Sequence, residues 1–136
     1  MSYVRGLAVA ARDAQAAIAS ADGATRRRLL QSMAEQLRAG QAAILAANAD
    51  DLAQAAANGA SKATLDRLGL DPERVQGMAE ALREVAVQAD PLGEVTRREV
   101  RPNGIVVERQ RIPLGLVAMI YEARPNVTAE AAALCL

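Results

Sequence analysis

The sequence predicts an α/β protein, and three of its regions indicate that class. The first ninety or so residues carry the spacing of amphipathic helices. An Asn-Gly pair at 103–104 then separates two β-rich runs, which is a strong signal for a β-hairpin. Residues 116–121 follow without a polar interruption, as is typical of a strand buried on both faces of a parallel sheet. We therefore expect helices, a hairpin arm, and then the first buried strand and helix of a parallel-sheet domain.

The composition excludes several classes of protein. Hydrophobic residues make up 51% of the 136 positions, which suits a globular core. Sixteen basic residues balance sixteen acidic ones, so neither nucleic acid nor an anionic membrane is an expected partner. The single cysteine rules out an internal disulfide framework and fits a reducing compartment. No run approaches the ~18 apolar residues of a membrane span, and no signal peptide or metal-ligand set is recognised. We expect a cytoplasmic protein.

The N-terminal helices are predicted from caps and apolar stripes. Alanine-rich residues 6–20 form the first helix, and a second is expected to begin near Thr25, a residue type favoured at the N-cap. The apolar face of the second helix contains Leu30, Met33, Leu37 and Ile44. Asn48 interrupts this stripe and predicts the start of a third helix, which Asn58 and Gly59 end. The three arginines at 26–28 are interpreted as a solvated helix face.

Asp71 marks the clearest helix start in the sequence. Its carboxylate can accept from the first-turn amides, Pro72 presets φ, and Glu73 complements the helix dipole. This helix carries an apolar stripe of Val75, Met78, Leu82 and Val85. A short helix at 61–68 precedes it, and an ion pair between Asp66 and Arg67 is expected to fix the intervening loop.

The C-terminal third changes to β structure and then returns to helix. Residues 95–101 and 105–112 are the predicted hairpin strands, and their arginines and glutamates indicate that at least one face is wet or meets a partner. A last helix is expected from about Thr128, and the sequence stops within it at Leu136. Because a buried parallel strand needs neighbours on both edges, we expect the domain begun here to be incomplete.

Residues 111–127, Arg-Ile-Pro-Leu-Gly-Leu-Val-Ala-Met-Ile-Tyr-Glu-Ala-Arg-Pro-Asn-Val, resemble the signature stretch of the gamma-glutamyl phosphate reductase family. Further family-like motifs occur in the same order and at similar spacing, at 47–52, 65–68, 90–95, 101–104 and 131–136. The resemblance covers nearly the whole chain, and the ordered set is highly specific. It implies an aldehyde dehydrogenase-like fold, with 1–93 as the helical region of the cofactor domain, 94–112 as the hairpin of an oligomerisation arm, and 113–136 as the truncated start of the Rossmann-like cofactor domain.

The resemblance also implies an activity. Family members use NADPH to reduce L-glutamate 5-phosphate to L-glutamate 5-semialdehyde, with release of phosphate, in proline biosynthesis. A cysteine thiolate forms a thioacyl-enzyme, and that cysteine is expected to lie beyond this chain, which should therefore be inactive alone. Homo-oligomerisation through the hairpin is expected. No Gly-x-Gly-x-x-Gly is present, so dinucleotide binding rests on the resemblance.

Four residues at the end of the apolar run or after it are candidate site residues. Asn126 is a candidate oxyanion donor, although related aldehyde dehydrogenases carry an aromatic residue beside such an Asn; the alternative is that it only caps the next helix. Arg124 could bind a phosphate of the substrate or the cofactor, or could pair with Glu122 or another acid. Ile120 and Tyr121 are assigned to the cofactor site, with packing in the sheet as the alternative.

The lone cysteine, Cys135, is interpreted as a packing residue and not as the nucleophile. It lies between two leucines on an alanine-rich helix, and no histidine is present to act as its base. Two other interpretations of the whole chain stay open. One is a different aldehyde dehydrogenase relative, and the other is a non-catalytic helical and hairpin module that serves only association.

Overall fold

The computed structural model describes residues 3–136 and contains within them six α-helices and two β-strands. The helices are α1 Tyr3–Ser20, α2 Gly23–Ala39, α3 Gln41–Ala57, α4 Lys62–Leu68, α5 Pro72–Ala86 and α6 Asn126–Leu134, and the strands are β1 Val95–Val100 and β2 Val106–Gln110. The chain divides into two compact units. One contains the residues up to Gly23 together with Ala89–Val117, and the other contains Ala24–Gln88 together with Ala118–Leu136. None of the helices in the described part of the chain has the length and apolar character to cross a membrane.

The second helix begins two residues before its predicted cap. Its first residue is Gly23, and the Thr25 hydroxyl accepts a hydrogen bond from Nη2 of Arg28 at 2.8 Å instead of capping the helix. The expected N-cap role of Thr25 was therefore wrong. The break between α2 and α3 falls at Gly40, whose amide donates to the carbonyl of Gln36 at 2.9 Å.

Asn48 does not begin a helix; it lies in the middle of α3 with 4% of its surface exposed. Its Nδ2 donates to the carbonyl of Leu68 at 2.9 Å, and its Oδ1 accepts from the amide of Leu70 at 2.7 Å. The polar amide is tolerated in the interior because both of its ends are bonded. Asn48 therefore ties α3 to the connection between α4 and α5. The predicted stop at Asn58 is confirmed.

The capped starts of α4 and α5 agree with the sequence. Ser61 accepts from the amide of Thr64 at 3.2 Å, and Asp71 accepts from the amide of Arg74 at 2.7 Å. The expected partner of Asp66 was wrong, because its carboxylate pairs with Arg74 at 3.5 Å. Nη1 of Arg74 also donates to the carbonyls of Asp66 and Gly69, at 2.7 and 2.6 Å, so one arginine holds the loop between the two helices.

The core of the second unit is formed where α2, α5 and α6 pack together. It consists of Leu30, Ala34, Ala79, Leu82, Ala86 and Ala133. Four of these six are alanines, and such small side chains allow close approach of helix backbones. The predicted stripe of α5 is confirmed, since Val75 and Leu82 are fully buried and Met78 is buried.

The solvated face predicted for the arginine triplet of α2 is confirmed at Arg27 and Arg28, which are exposed, and was wrong at Arg26. Only 9% of the Arg26 surface is exposed. Nε of Arg27 donates to the carbonyl of Ala86 at 3.1 Å, at the end of α5, where helix carbonyls lack intrahelical partners. Arg26 is therefore buried within the second unit, and Arg27 connects α2 to the end of α5.

The hairpin is confirmed. β1 and β2 pair antiparallel, with Val100 opposite Val106 and an irregularity between Val95 and Arg97. In the turn, Gly104 adopts a φ of +83°, a left-handed conformation that favours glycine. Opposite charges meet across the exposed strands, as in the 3.3 Å contact between Arg98 and Glu108.

The predicted buried strand at 116–121 does not form among the described residues. Ile120 is fully exposed, and 54% of the Met119 surface is exposed. A parallel strand obtains its backbone hydrogen bonds only from neighbouring strands, and the sheet among residues 3–136 contains only the antiparallel pair β1 and β2. The helix after this segment is present, but it begins at Asn126 and not at Thr128.

Candidate functional site

The candidate site is the segment from Tyr121 to Thr128, called here the 121–128 loop, which leads into α6. Ala123 has a φ of 52°, in the left-handed region that a residue with a Cβ seldom adopts. The amide of Val127 donates to the carbonyl of Arg124 at 3.1 Å. Pro125 stands at the cap position of α6 with a φ of −62°, which its ring favours. The chain therefore turns sharply between the apolar segment and α6.

A hydrogen bond between two side-chain hydroxyls connects the two ends of this loop. The phenol of Tyr121 and the hydroxyl of Thr128 are the partners. Both residues are exposed, and Thr128 lies in the first turn of α6. The bond joins the end of the apolar segment directly to the helix.

Asn126 is the first residue of α6 and makes no cap hydrogen bond, so the alternative prediction that it only caps this helix was wrong. Its Nδ2 donates to Oε1 of Glu130 at 3.0 Å, one turn further along α6. An amide nitrogen carries two hydrogens, and this bond uses one of them. The other hydrogen is chemically suited to a further acceptor, and the role of oxyanion donor stays a prediction.

Arg124 is exposed at the start of α6. Within residues 3–136 its guanidinium forms no ion pair, so the predicted alternative of a bridge to Glu122 or a neighbouring acid is absent there. Its carbonyl is bonded to Val127, whereas its five N–H donors are not committed to an acid in the described chain. Such a group can bind an oxyanion bidentately.

One prediction held that Ile120 and Tyr121 pack in a sheet. Neither residue does so in the described chain. Ile120 is fully exposed and Tyr121 is 43% exposed. Their assignment to a cofactor site is a prediction that rests on the resemblance.

Cys135 is exposed just after the last residue of α6, so the predicted burial between two leucines was wrong for the described chain. Leu134 beside it is 71% exposed. The reason is that only one face of α6 meets the core, through Ala133. That Cys135 is not the nucleophile stays a prediction.

Sequence reasoning missed two partners of the site residues. Glu130 lies four positions after Asn126, a spacing that brings side chains together on a helix and could have revealed the pair. Thr128 and Tyr121 meet across a turn in which Ala123 is left-handed. No signal in the sequence predicts that conformation. Among the described residues, no group of three or more acidic or cysteine side chains is placed to hold a metal ion.

The fold is that of an aldehyde dehydrogenase-like enzyme, as a crystal structure with the same architecture indicates. That structure is the gamma-glutamyl phosphate reductase of Thermotoga maritima, which matches 91% of this chain and 30% of its own, with a TM-score of 0.88 and 35% identity. No family model matches the chain.

Curated relatives of the chain carry the same name as that structure. The chain is 55% identical over 133 residues to the gamma-glutamyl phosphate reductase of Xanthomonas axonopodis pv. citri, and 57% identical over 132 residues to that of Novosphingobium aromaticivorans. These alignments cover 98% and 97% of the chain but 32% and 31% of the relatives. The chain thus spans about a third of the length of the curated relatives it matches. Over that third, it is a homologue of the gamma-glutamyl phosphate reductases.

Proposed function

We propose that the chain serves as part of a cytoplasmic gamma-glutamyl phosphate reductase. The reaction is the NADPH-dependent reduction of L-glutamate 5-phosphate to L-glutamate 5-semialdehyde, with release of phosphate, in L-proline biosynthesis. The observation that carries this proposal is the identity of 54–57% along nearly the whole chain to enzymes of that name. It favours this reductase over another aldehyde dehydrogenase relative and over a pure association module.

Within this proposal, Arg124 binds a phosphate group of the substrate or the cofactor. Its exposure and its lack of an ion pair among the described residues support the role. Arginine presents a planar fork of donors that matches phosphate oxygens, which a lysine ammonium does not.

Asn126 is proposed to donate its second amide hydrogen to the oxygen that becomes negative as the acyl phosphate is attacked. A preorganised donor of this kind contributes roughly 3–4 kcal/mol to transition-state stabilisation. The bond to Glu130 supports the role, because it restricts the amide before substrate arrives.

The exposed side chains fit a nicotinamide cofactor. Ile120 offers an apolar surface to a flat ring, Tyr121 offers an aromatic edge, and Arg124 is suited to a phosphate. The cofactor supplies the hydride when bound, and these residues would hold and orient it. The thiol nucleophile belongs to the part of the relatives that this chain does not match, which also explains why the chain by itself is proposed to be inactive.

The domain division at 1–93, 94–112 and 113–136 is part of the proposal, as is homo-oligomerisation through the hairpin. The hairpin supports association because each strand has one partner within the described chain, which leaves two outer edges with unpaired backbone groups. Exposed apolar side chains at Val100 and Ile105 add to this surface.

A hybrid enzyme tests the function. The matched third of the Novosphingobium relative is replaced by this chain, and NADP reduction is followed with L-glutamate 5-semialdehyde and phosphate as substrates. We expect kcat within about tenfold of the parent relative, because the exchanged segments are 57% identical. The control is the relative without the segment. A hybrid that is folded and oligomeric but no more active than that control would contradict the proposal.

Arg124 is tested in the same hybrid. The change Arg124→Gln is expected to raise the KM for phosphate or for NADP about tenfold or more, because a charged hydrogen-bonded contact is lost. Arg124→Lys retains the charge without the fork and should give a smaller rise. Unchanged KM values in both variants would exclude Arg124 from anion binding.

A further inference from the structure

We propose that the hydroxyl pair of Tyr121 and Thr128 positions Arg124, by fixing the backbone of the 121–128 loop. The inference rests on the proposed anion-binding role of Arg124. In this proposal, Thr128 does not contact the substrate and acts only by holding the loop. The pair makes the reductase selective for a phosphate-bearing ligand by holding the guanidinium ready.

Two hydrogen bonds and one unusual backbone angle define this loop. The bond from Tyr121 to Thr128 spans seven residues and closes a ring of chain around Arg124. Inside that ring, the carbonyl of Arg124 accepts from the amide of Val127 at 3.1 Å. Ala123, immediately before Arg124, holds a left-handed φ of 52°. A residue with a Cβ remains in that conformation only where its surroundings enforce it.

The first half of the loop follows residues 116–121, which form no strand in the described chain. The second half is anchored by α6, which packs on the core through Ala133. The hydroxyl pair transfers that anchoring to the first half of the loop.

A fixed backbone matters for an arginine more than for most residues. The guanidinium loses several rotatable bonds of freedom when it binds an anion, and a backbone that also moved would add to that loss. Pro125 already restricts Arg124 to extended backbone conformations. The Tyr121 to Thr128 bond then sets where Arg124 stands relative to α6.

The test uses two substitutions at one position in the hybrid enzyme. Thr128→Val keeps the shape of the side chain and removes the hydroxyl, whereas Thr128→Ser keeps the hydroxyl and removes a methyl group. We expect Thr128→Val to raise the KM for phosphate or for NADP, whichever of the two Arg124 binds, about three- to tenfold. The kcat should stay within about twofold of the parent. Thr128→Ser and the parent should be alike.

Hydrogen–deuterium exchange of the peptide that contains the loop provides a readout independent of activity. Faster exchange at 121–127 in Thr128→Val than in Thr128→Ser supports the inference. Equal exchange and equal KM in these two variants would overturn it, as would a fall in kcat at constant KM. If Arg124→Gln leaves KM unchanged while Thr128→Val still loosens the loop, the proposed role of Arg124 fails and the positioning of the loop stands.

Discussion

Replacing Asn48 by alanine is expected to destabilise the second unit more than replacing an exposed residue of α3 by alanine. Asn48 is 4% exposed, and its amide makes hydrogen bonds to backbone groups on both sides of the α4–α5 connection. Alanine keeps the helix but leaves the carbonyl of Leu68 and the amide of Leu70 without these partners. Both groups are then left part-buried with their hydrogen-bonding capacity unused.

The magnitude follows from the two contacts. Each lost partner costs roughly 1–1.5 kcal/mol at bonds of 2.9 and 2.7 Å. The higher helix propensity of alanine returns roughly 0.5 kcal/mol. The expected decrease in the free energy of unfolding is therefore about 2 kcal/mol. Water entering the space left by the amide would lower this figure.

The assay is urea unfolding of the chain at low concentration, followed by the circular dichroism of the helices. Gln54→Ala is the matched control, because Gln54 is an exposed amide in the same helix. We expect the control to lie within about 0.5 kcal/mol of the parent. An Asn48→Ala variant that unfolds at the same urea concentration as the control would refute the argument that this amide holds the connection.

Three further predictions follow from the core, a cap and the site. Leu82→Ala removes a fully buried side chain and should cost about 2–4 kcal/mol in the same unfolding assay. Leu29→Ala, at a 38% exposed position, should cost clearly less, and equal losses would contradict the assigned core. Asp71→Ala removes the N-cap of α5 and should cost about 1 kcal/mol, with Asp71→Ser recovering most of it; no recovery by serine would argue against the capping role. The 136-residue chain alone should show no NADPH-dependent reduction of L-glutamate 5-phosphate, and measurable turnover would place the nucleophile within it.

Much of the secondary structure was predictable because its signals are local. Asp71 and Ser61 cap helices through amides three residues away, and Gly104 shapes a turn within four residues. Such interactions depend on short stretches of sequence, whatever the rest of the chain does. The order of motifs from 47 to 136 was also sufficient to recognise the family, since it requires no knowledge of contacts.

The interpretations that failed concern contacts between distant parts of the chain. Asn48 has the chemistry of a cap, but its partners stand 20 and 22 residues away. Arg27 is exposed, as predicted, but it also bonds the carbonyl of Ala86 at the end of α5, at a separation of 59 residues. Nothing in the local sequence distinguishes these outcomes, because the same amide or guanidinium can form its hydrogen bonds with water or with a backbone carbonyl that is distant in sequence.

The apolar segment at 116–121 shows the same division most clearly. The sequence by itself determined the resemblance to gamma-glutamyl phosphate reductases, the cap of α5, the hairpin and the segment's capacity for a buried strand. Only the tertiary structure decided that this capacity is unused among residues 3–136, because strand hydrogen bonds must come from a neighbouring strand. It also decided that Asn48 connects α3 to the segment between α4 and α5, and that Arg26 is buried. It decided as well that Tyr121 bonds Thr128 across the loop that carries Arg124. Each of these depends on which backbone groups the fold brings within hydrogen-bonding distance.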